Sequence, residues 1–168
     1  MTPEKTEYDP YYEKYISLVD DDLLARLPAQ PAELRDVFGT HGEENDTFSY
    51  GVGKWTVKEL LGHIIDGERM FAYRAFRISR GDATPIEGFE QDGYIENAHA
   101  NARSMDDLLD EFELLRLANV IFFQNLNDTD WRRMGTASGL PISVRALGYI
   151  MAGHVIHHVN ILNERYIV

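Results

Sequence analysis

The sequence predicts an all-α protein, a four-helix bundle. Three observations carry that reading. Apolar residues recur at helical spacing with little that alternates like a strand. The apolar stretches open on capping residues and close on glycine or polar turns. A hydrophobic content of 44%, with 11% aromatic residues, supplies a real core. At 168 residues the chain is read as a single domain, 1–168.

The first stretch is the least regular. Tyr12, Tyr15, Ile16, Val19, Leu23, Leu24 and Leu27 have helical spacing, but Asp20, Asp21 and Asp22 interrupt them as a helix start or solvated turn. Pro28 and Pro31 follow, so a short helix is expected to end near Leu27 and another to start with Pro31 in its first turn. Residues 39–54, with Gly39, Gly42, Gly51 and Gly53, read as a loop. The second helix is expected over about 57–80. Thr56 and Glu59 form a capping box, and Trp55 with Leu60 a hydrophobic staple. Residues 81–103 read as a long connection, of the length that often serves as a lid or binding loop. The third helix opens at Ser104 and runs to about Asn127; 128–142 is loop again. Ser143 caps the last helix, with its stripe of Val144, Leu147, Ile150, Met151, Val155, Ile161 and Leu162.

Charge and composition remove several functions. Sixteen Lys and Arg against 28 Asp and Glu give a net charge of −12 and a pI near 4.8. Nucleic acid is therefore not an expected partner, because binding it needs cations that replace phosphate counterions. An anionic membrane surface would repel the chain, and no apolar run approaches the ~20 residues that span a bilayer. The polar, acidic stretch from Met1 to Tyr12 does not read as a signal peptide, and a cytoplasmic protein is expected. Cysteine is absent, which excludes disulfides, thiolate metal sites and cysteine nucleophiles. Any metal must be held by histidine and carboxylate.

Six histidines occur, at 41, 63, 99, 154, 157 and 158. At about 100° per residue, His154 and His158 fall within the apolar stripe of the last helix, one above the other, and His157 at its edge. An i, i+4 pair brings two imidazoles close enough for one ion. His63 lies near the border of the second helix's apolar face. Three inward neutral imidazoles with open positions make a catalytic pattern, not a closed structural one. Against it stands the ordinary alternative, three core histidines each satisfied by hydrogen bonds. There is no H-E-x-x-H, and the single E-x-x-H, Glu96 with His99, lacks the second copy that a di-iron carboxylate site needs.

These residues also carry a family resemblance. The run from Gly53 to Arg69, centred on His63, with Ala72–Arg74, Arg80–Asp82 and Gly88–Phe89, resembles the first signature of the DinB/YfiT-like metalloenzyme family. Ser143–Leu147 leading into Ala152–His158 resembles the second, and the similarity extends from about Tyr12 to Tyr166. The resemblance implies a four-helix bundle with a divalent ion on His63, His154 and His158. Zinc or nickel is the expected metal, iron or manganese the alternatives. It implies a homodimer and a small-molecule substrate. Related groups use low-molecular-weight thiols such as bacillithiol or mycothiol, so the expected reaction is thiol S-transfer, with hydrolysis second. The rival is a non-catalytic dimeric module that binds metal or a small ligand. The resemblance assigns no further catalytic residue.

Other residues keep two readings each. Gly67 either opens space beside the metal or marks a close helix contact, the reading also expected for Gly62 and Gly153. Asp66 either orients His63 or pairs with Arg69 or Lys58. Arg74 binds a substrate carboxylate or pairs with a glutamate on a neighbouring helix. His157 is an edge residue or lines a dimer contact. Phe89 and Tyr94 close over the site or anchor the long loop.

Overall fold

The computed structural model describes residues 2–20, 22–39 and 45–166. Seven α-helices are found among them: α1 (Glu13–Ile16), α2 (Leu23–Gly39), α3 (Val57–Ser79), α4 (Gln91–Ala98), α5 (Met105–Gln124), α6 (Asp128–Trp131) and α7 (Val144–Arg165). A two-stranded antiparallel hairpin, β1 (Met134–Ala137) and β2 (Leu140–Ser143), precedes α7. The bundle is α2, α3, α5 and α7. α3 packs between α5 and α7, and α2 touches the same two helices from the other side. The four-helix bundle expected from periodicity is the fold found.

The capping residues act where the sequence placed them. Thr56 Oγ1 accepts from Glu59 N at 3.1 Å while Glu59 Oε2 accepts from Thr56 N at 2.8 Å, a complete capping box on α3. Ser104 Oγ accepts from Asp107 N and Ser143 Oγ from Ala146 N, starting α5 and α7. α7 is the central helix: every residue from Val144 to Val155 is buried. That sets the histidines deep before any chemistry is considered.

The break expected near Leu27 is not there. α2 continues through Pro28 and Pro31. Pro31 has no N–H for the Leu27 carbonyl one turn back. That carbonyl instead faces Arg116 Nη1, which donates to it at 3.4 Å. A distant side chain replaces the local bond on which the proline rule depends. Asp22 starts the helix, its Oδ1 accepting from Ala25 N at 3.1 Å; Asp21 lies outside the described residues. So do residues 40–44 of the expected 39–54 loop, including Gly42 and His41.

Two expected loops hold structure. The 81–103 connection contains α4, capped by Glu90, and ends the helix on His99 at φ 53°. The 128–142 loop contains α6 and the hairpin, whose Ser138–Gly139 turn has φ of 52° and 76°, the left-handed pair of a tight two-residue turn. Ile86 joins the two segments: Ile86 N donates to Thr136 O and Ser138 N to Ile86 O, both at 2.9 Å. The long connection is thereby pinned along the flank of α3.

Candidate metal centre

α3 and α7 bring three imidazoles to one point. His63 faces inward beside Leu60 and Ile64, and His154 and His158 stack on successive turns of α7. All three are buried. His154 Nε2 lies 3.0 Å from His63 Nε2 and 3.1 Å from His158 Nε2, and the ligand atoms of the three all lie within 4.8 Å of one another. The helical wheel picked this trio, and the structure brings it together.

Burial fixes the charge state. Loss of water pushes His63 down to about 4 and His158 to about 2, and it holds His154 well below the ordinary range, helped by its two histidine neighbours. All three rings are neutral at pH 7. A neutral imidazole nitrogen carries either one proton or one lone pair. His154 Nε2 can therefore make a hydrogen bond with one of its two neighbours but not with both. The cluster does not close on itself as a set of satisfied core histidines would. Ring nitrogens 3.0 and 3.1 Å apart suit a divalent ion, since nitrogen ligands sit about 2.0–2.1 Å from zinc and hence about 3 Å from each other. His158 Nδ1 is buried without a hydrogen-bond partner among the described residues, and its ring is held by packing against His63, His154 and His157 at 4.4–5.0 Å between centroids.

Aromatic rings wall the cluster. Trp55 lies 4.7 Å from His63, and Tyr15 and Phe71 lie 5.5 and 5.4 Å from His154. A cavity of roughly 440 Å³ opens from His63 and His154 along α3, past Gly67 and Phe71 to Arg74, roofed by Phe89 and the hairpin tip. A second cavity of roughly 280 Å³ reaches His158 from the other side, between Trp55, Tyr166 and Asp92.

Gly67 combines both of its readings. A Cβ there would lie 2.7 Å from His154 Cε1, so the glycine is a close helix contact, and what it admits is the His154 ring itself. Gly153 is stricter: a Cβ would fall 2.0 Å from the Tyr15 carbonyl oxygen. Neither pairing considered for Asp66 forms. Arg69 pairs with Glu111 and Lys58 with Asp46. Asp66 is half-buried, and desolvation raises its carboxyl above the usual range. Among the described residues Arg74 pairs with no glutamate of a neighbouring helix; its guanidinium donates to the Ser138 hydroxyl and the Glu87 carbonyl. His157 is partly buried against Tyr15 at 5.3 Å. Phe89 lines the larger cavity and Tyr94 packs on it at 5.1 Å.

A family model described as the DinB superfamily matches residues 17–162. The chain belongs to the DinB superfamily. Among solved structures, this DinB-superfamily chain is similar to YfiT from Bacillus subtilis at 16% identity, with a TM-score of 0.78. The match covers 98% of this chain and 90% of that one. YfiT is described as a probable metal-dependent hydrolase with an unusual four-helix bundle topology. No curated protein matches the sequence.

Sequence reasoning missed Asp92. It lies on α4 at the mouth of the smaller cavity, and its charge opposes the fall in the His63 pKa. Its carboxylate is outside the converging cluster. The available signal was Glu90 two residues earlier, an N-cap within what read as loop. Tyr15 was seen only as an apolar position of the first stretch, not as a wall of the site.

Proposed function

We propose that this protein is a metal-dependent enzyme whose divalent ion is held by His63, His154 and His158. One observation carries the reading: the ring nitrogens of three buried, neutral histidines gather within 4.8 Å of one another, beside a cavity large enough for a small molecule. The similar bundle of YfiT, described as a probable metal-dependent hydrolase, supports it. Zinc or nickel suits the all-nitrogen set best. When bound, such an ion lowers the pKa of a thiol or water and makes a nucleophile near neutral pH.

The residues of the chain supply the rest. The rings of Trp55, Tyr15 and Phe71 keep the imidazoles dry and neutral. Asp92, exposed at the lining of the cavity that reaches His158 and close enough to act on His63, is the carboxylate we assign to take up the proton released from the nucleophile. A low-molecular-weight thiol is the favoured co-substrate, because the chain holds no cysteine of its own. That favours S-transfer over hydrolysis, and it suits the cytoplasm, where small thiols stay reduced. No described helix is long and apolar enough to cross a membrane.

We assign the homodimer contact to the outer faces of α3 and α5. Leu114, Leu117 and Ile121 on α5 and Tyr73 and Phe76 on α3 are 45–70% exposed, and the Phe76 and Phe122 rings meet at 6.3 Å across the two helices. Light scattering should give twice the chain mass, and Ile121→Glu should halve it.

The activity test is direct. Zinc- and nickel-loaded protein is incubated with glutathione, coenzyme A or dithiothreitol and 1-chloro-2,4-dinitrobenzene, with p-nitrophenyl acetate as the hydrolysis control. Metal-dependent thioether formation supports S-transfer; ester cleavage without thiol supports hydrolysis. Metal retained with no turnover in either assay would leave the non-catalytic binding module.

A further inference from the structure

We propose that Arg74 is the anion-recognition residue of this site: it takes the carboxylate of an elongated small-molecule substrate whose other end reaches the three histidines. The inference rests on the reading of the histidine cluster as the reacting end of the cavity.

Three arginines are buried among the described residues, and two of them are neutralised. Arg116, 0% exposed, is paired with Glu68, and Arg145, 8% exposed, with Glu7. Arg74, 2% exposed, has no carboxylate partner among the described residues, in a chain with twelve more acidic than basic residues. Its Nη2 donates to Ser138 Oγ at 3.0 Å and to the Glu87 carbonyl at 3.3 Å, and the Phe89 ring lies 5.9 Å from its guanidinium carbon. The Tyr12 hydroxyl is its other polar neighbour. Its Nε is buried with no acceptor among the described residues. These contacts hold the guanidinium in place and leave its charge unanswered.

An unpaired buried cation is costly, and evolution commonly removes it or supplies a counter-charge. Here the side chain lines the cavity that begins at His63 and His154. A ligand carboxylate in that cavity would accept from the guanidinium, and the Ser138 and Tyr12 hydroxyls could turn to donate to it. A single positive charge matches a monoanionic carboxylate better than a dianionic phosphate, given the net charge of −12.

The same geometry sets the shape of the ligand. Gly67 marks the level of the His154 ring, and Arg74 lies seven residues further along α3, about 10 Å by helical rise. The substrate therefore has its carboxylate at one end, its reacting group several bonds away, and an apolar middle against Phe71.

The test uses 6-mercaptohexanoate and 6-mercaptohexanol, a pair differing in that one end, titrated calorimetrically into the full chain. Zinc-loaded and metal-free protein are both measured, for wild type, Arg74→Met and Ser138→Gly. Wild type should bind the acid at least about ten-fold tighter than the alcohol, the usual worth of one charge-assisted hydrogen bond. In Arg74→Met that preference should vanish while alcohol binding stays unchanged. Ser138→Gly removes the anchoring hydroxyl at a φ of 52° that glycine accepts, and it should reduce the preference several-fold. It keeps the test readable if Arg74→Met does not fold. An acid preference confined to the metal-free protein's cavity and lost in Arg74→Met would uphold the anion site even if the zinc site failed. An acid preference that survives in both variants, or no preference in wild type, overturns the proposal.

Discussion

Two buried polar clusters lie side by side in this bundle, and they differ in whether they are complete. In one, Glu68 receives Arg116 through both of its oxygens at 2.8 and 2.7 Å, and Asn119 donates to it at 2.8 Å. Arg116 also donates to Gln30, whose amide nitrogen donates to the Ala152 carbonyl at 2.8 Å. That network links α2, α3, α5 and α7 and answers its own charges. In the other, beginning at His63 and Gly67 on the same helix, three like nitrogens face one another and Arg74 stands without a counter-charge among the described residues. Buried polarity that is satisfied internally holds a fold together; buried polarity that is not satisfied internally has room for something else. The difference separates framework from site more sharply than burial or residue type does.

Breaking the complete cluster should cost most. Arg116→Met leaves Glu68 charged and unpaired in the core, and it should destabilise the protein by about 3–5 kcal/mol in urea unfolding. Adding Glu68→Leu should recover much of that loss, since replacing a whole buried pair by apolar groups is often near neutral. A double variant as unstable as the single one would mean that α2 needs Arg116 at the Leu27 carbonyl more than Glu68 needs its partner.

The incomplete cluster should respond to ligands instead. Zinc at 100 times its dissociation constant should raise wild-type stability by about 2.7 kcal/mol. His63→Ala and His154→Ala should gain nothing from zinc. Gly67→Ala should also lose most of that gain although every histidine is retained, because its Cβ would occupy the space of the His154 ring. A full zinc response in Gly67→Ala would show that the ring has another resting place.

Acid should separate the clusters as well. The three histidines are neutral when folded and take up protons near pH 6.5 once unfolded, so below that pH the unfolded state binds more protons. Stability of the metal-free protein should therefore fall as pH drops from about 6.5 toward 4, where His63 itself titrates. A flat unfolding free energy across that window would contradict neutral buried rings. The smallest effect is expected at exposed Asp92, whose replacement by Asn should lower the His63 pKa further with little change in stability, as followed by histidine NMR.

Most of the fold was legible because it depends on local patterns. Thr56, Ser104 and Ser143 start their helices through bonds three residues long, and the stripe of α7 determines which histidines face inward. What sequence could not show depends on distant partners. The continuity of α2 through Pro31 relies on Arg116, 85 positions further along the chain from that proline. The hairpin is two four-residue strands around Ser138–Gly139, too short to establish a period, and its third backbone partner is Ile86. The histidine trio was readable from two helical faces and a resemblance; its cavity, built from α1, the 81–103 connection and the hairpin tip, was not. Arg74 was noticed on the correct side of its helix, but only the structure shows that no described glutamate of a neighbouring helix meets it and that Ser138 and the Glu87 carbonyl do.

The central claim, that the incomplete cluster is a metal site, is tested most directly by elemental analysis of wild-type and His158→Ala protein purified without a histidine tag. The account predicts near-stoichiometric divalent metal in the wild type and its loss in the variant. Wild-type protein that emerges without metal and cannot be reloaded with zinc or nickel would contradict it, and would make the three histidines part of the core.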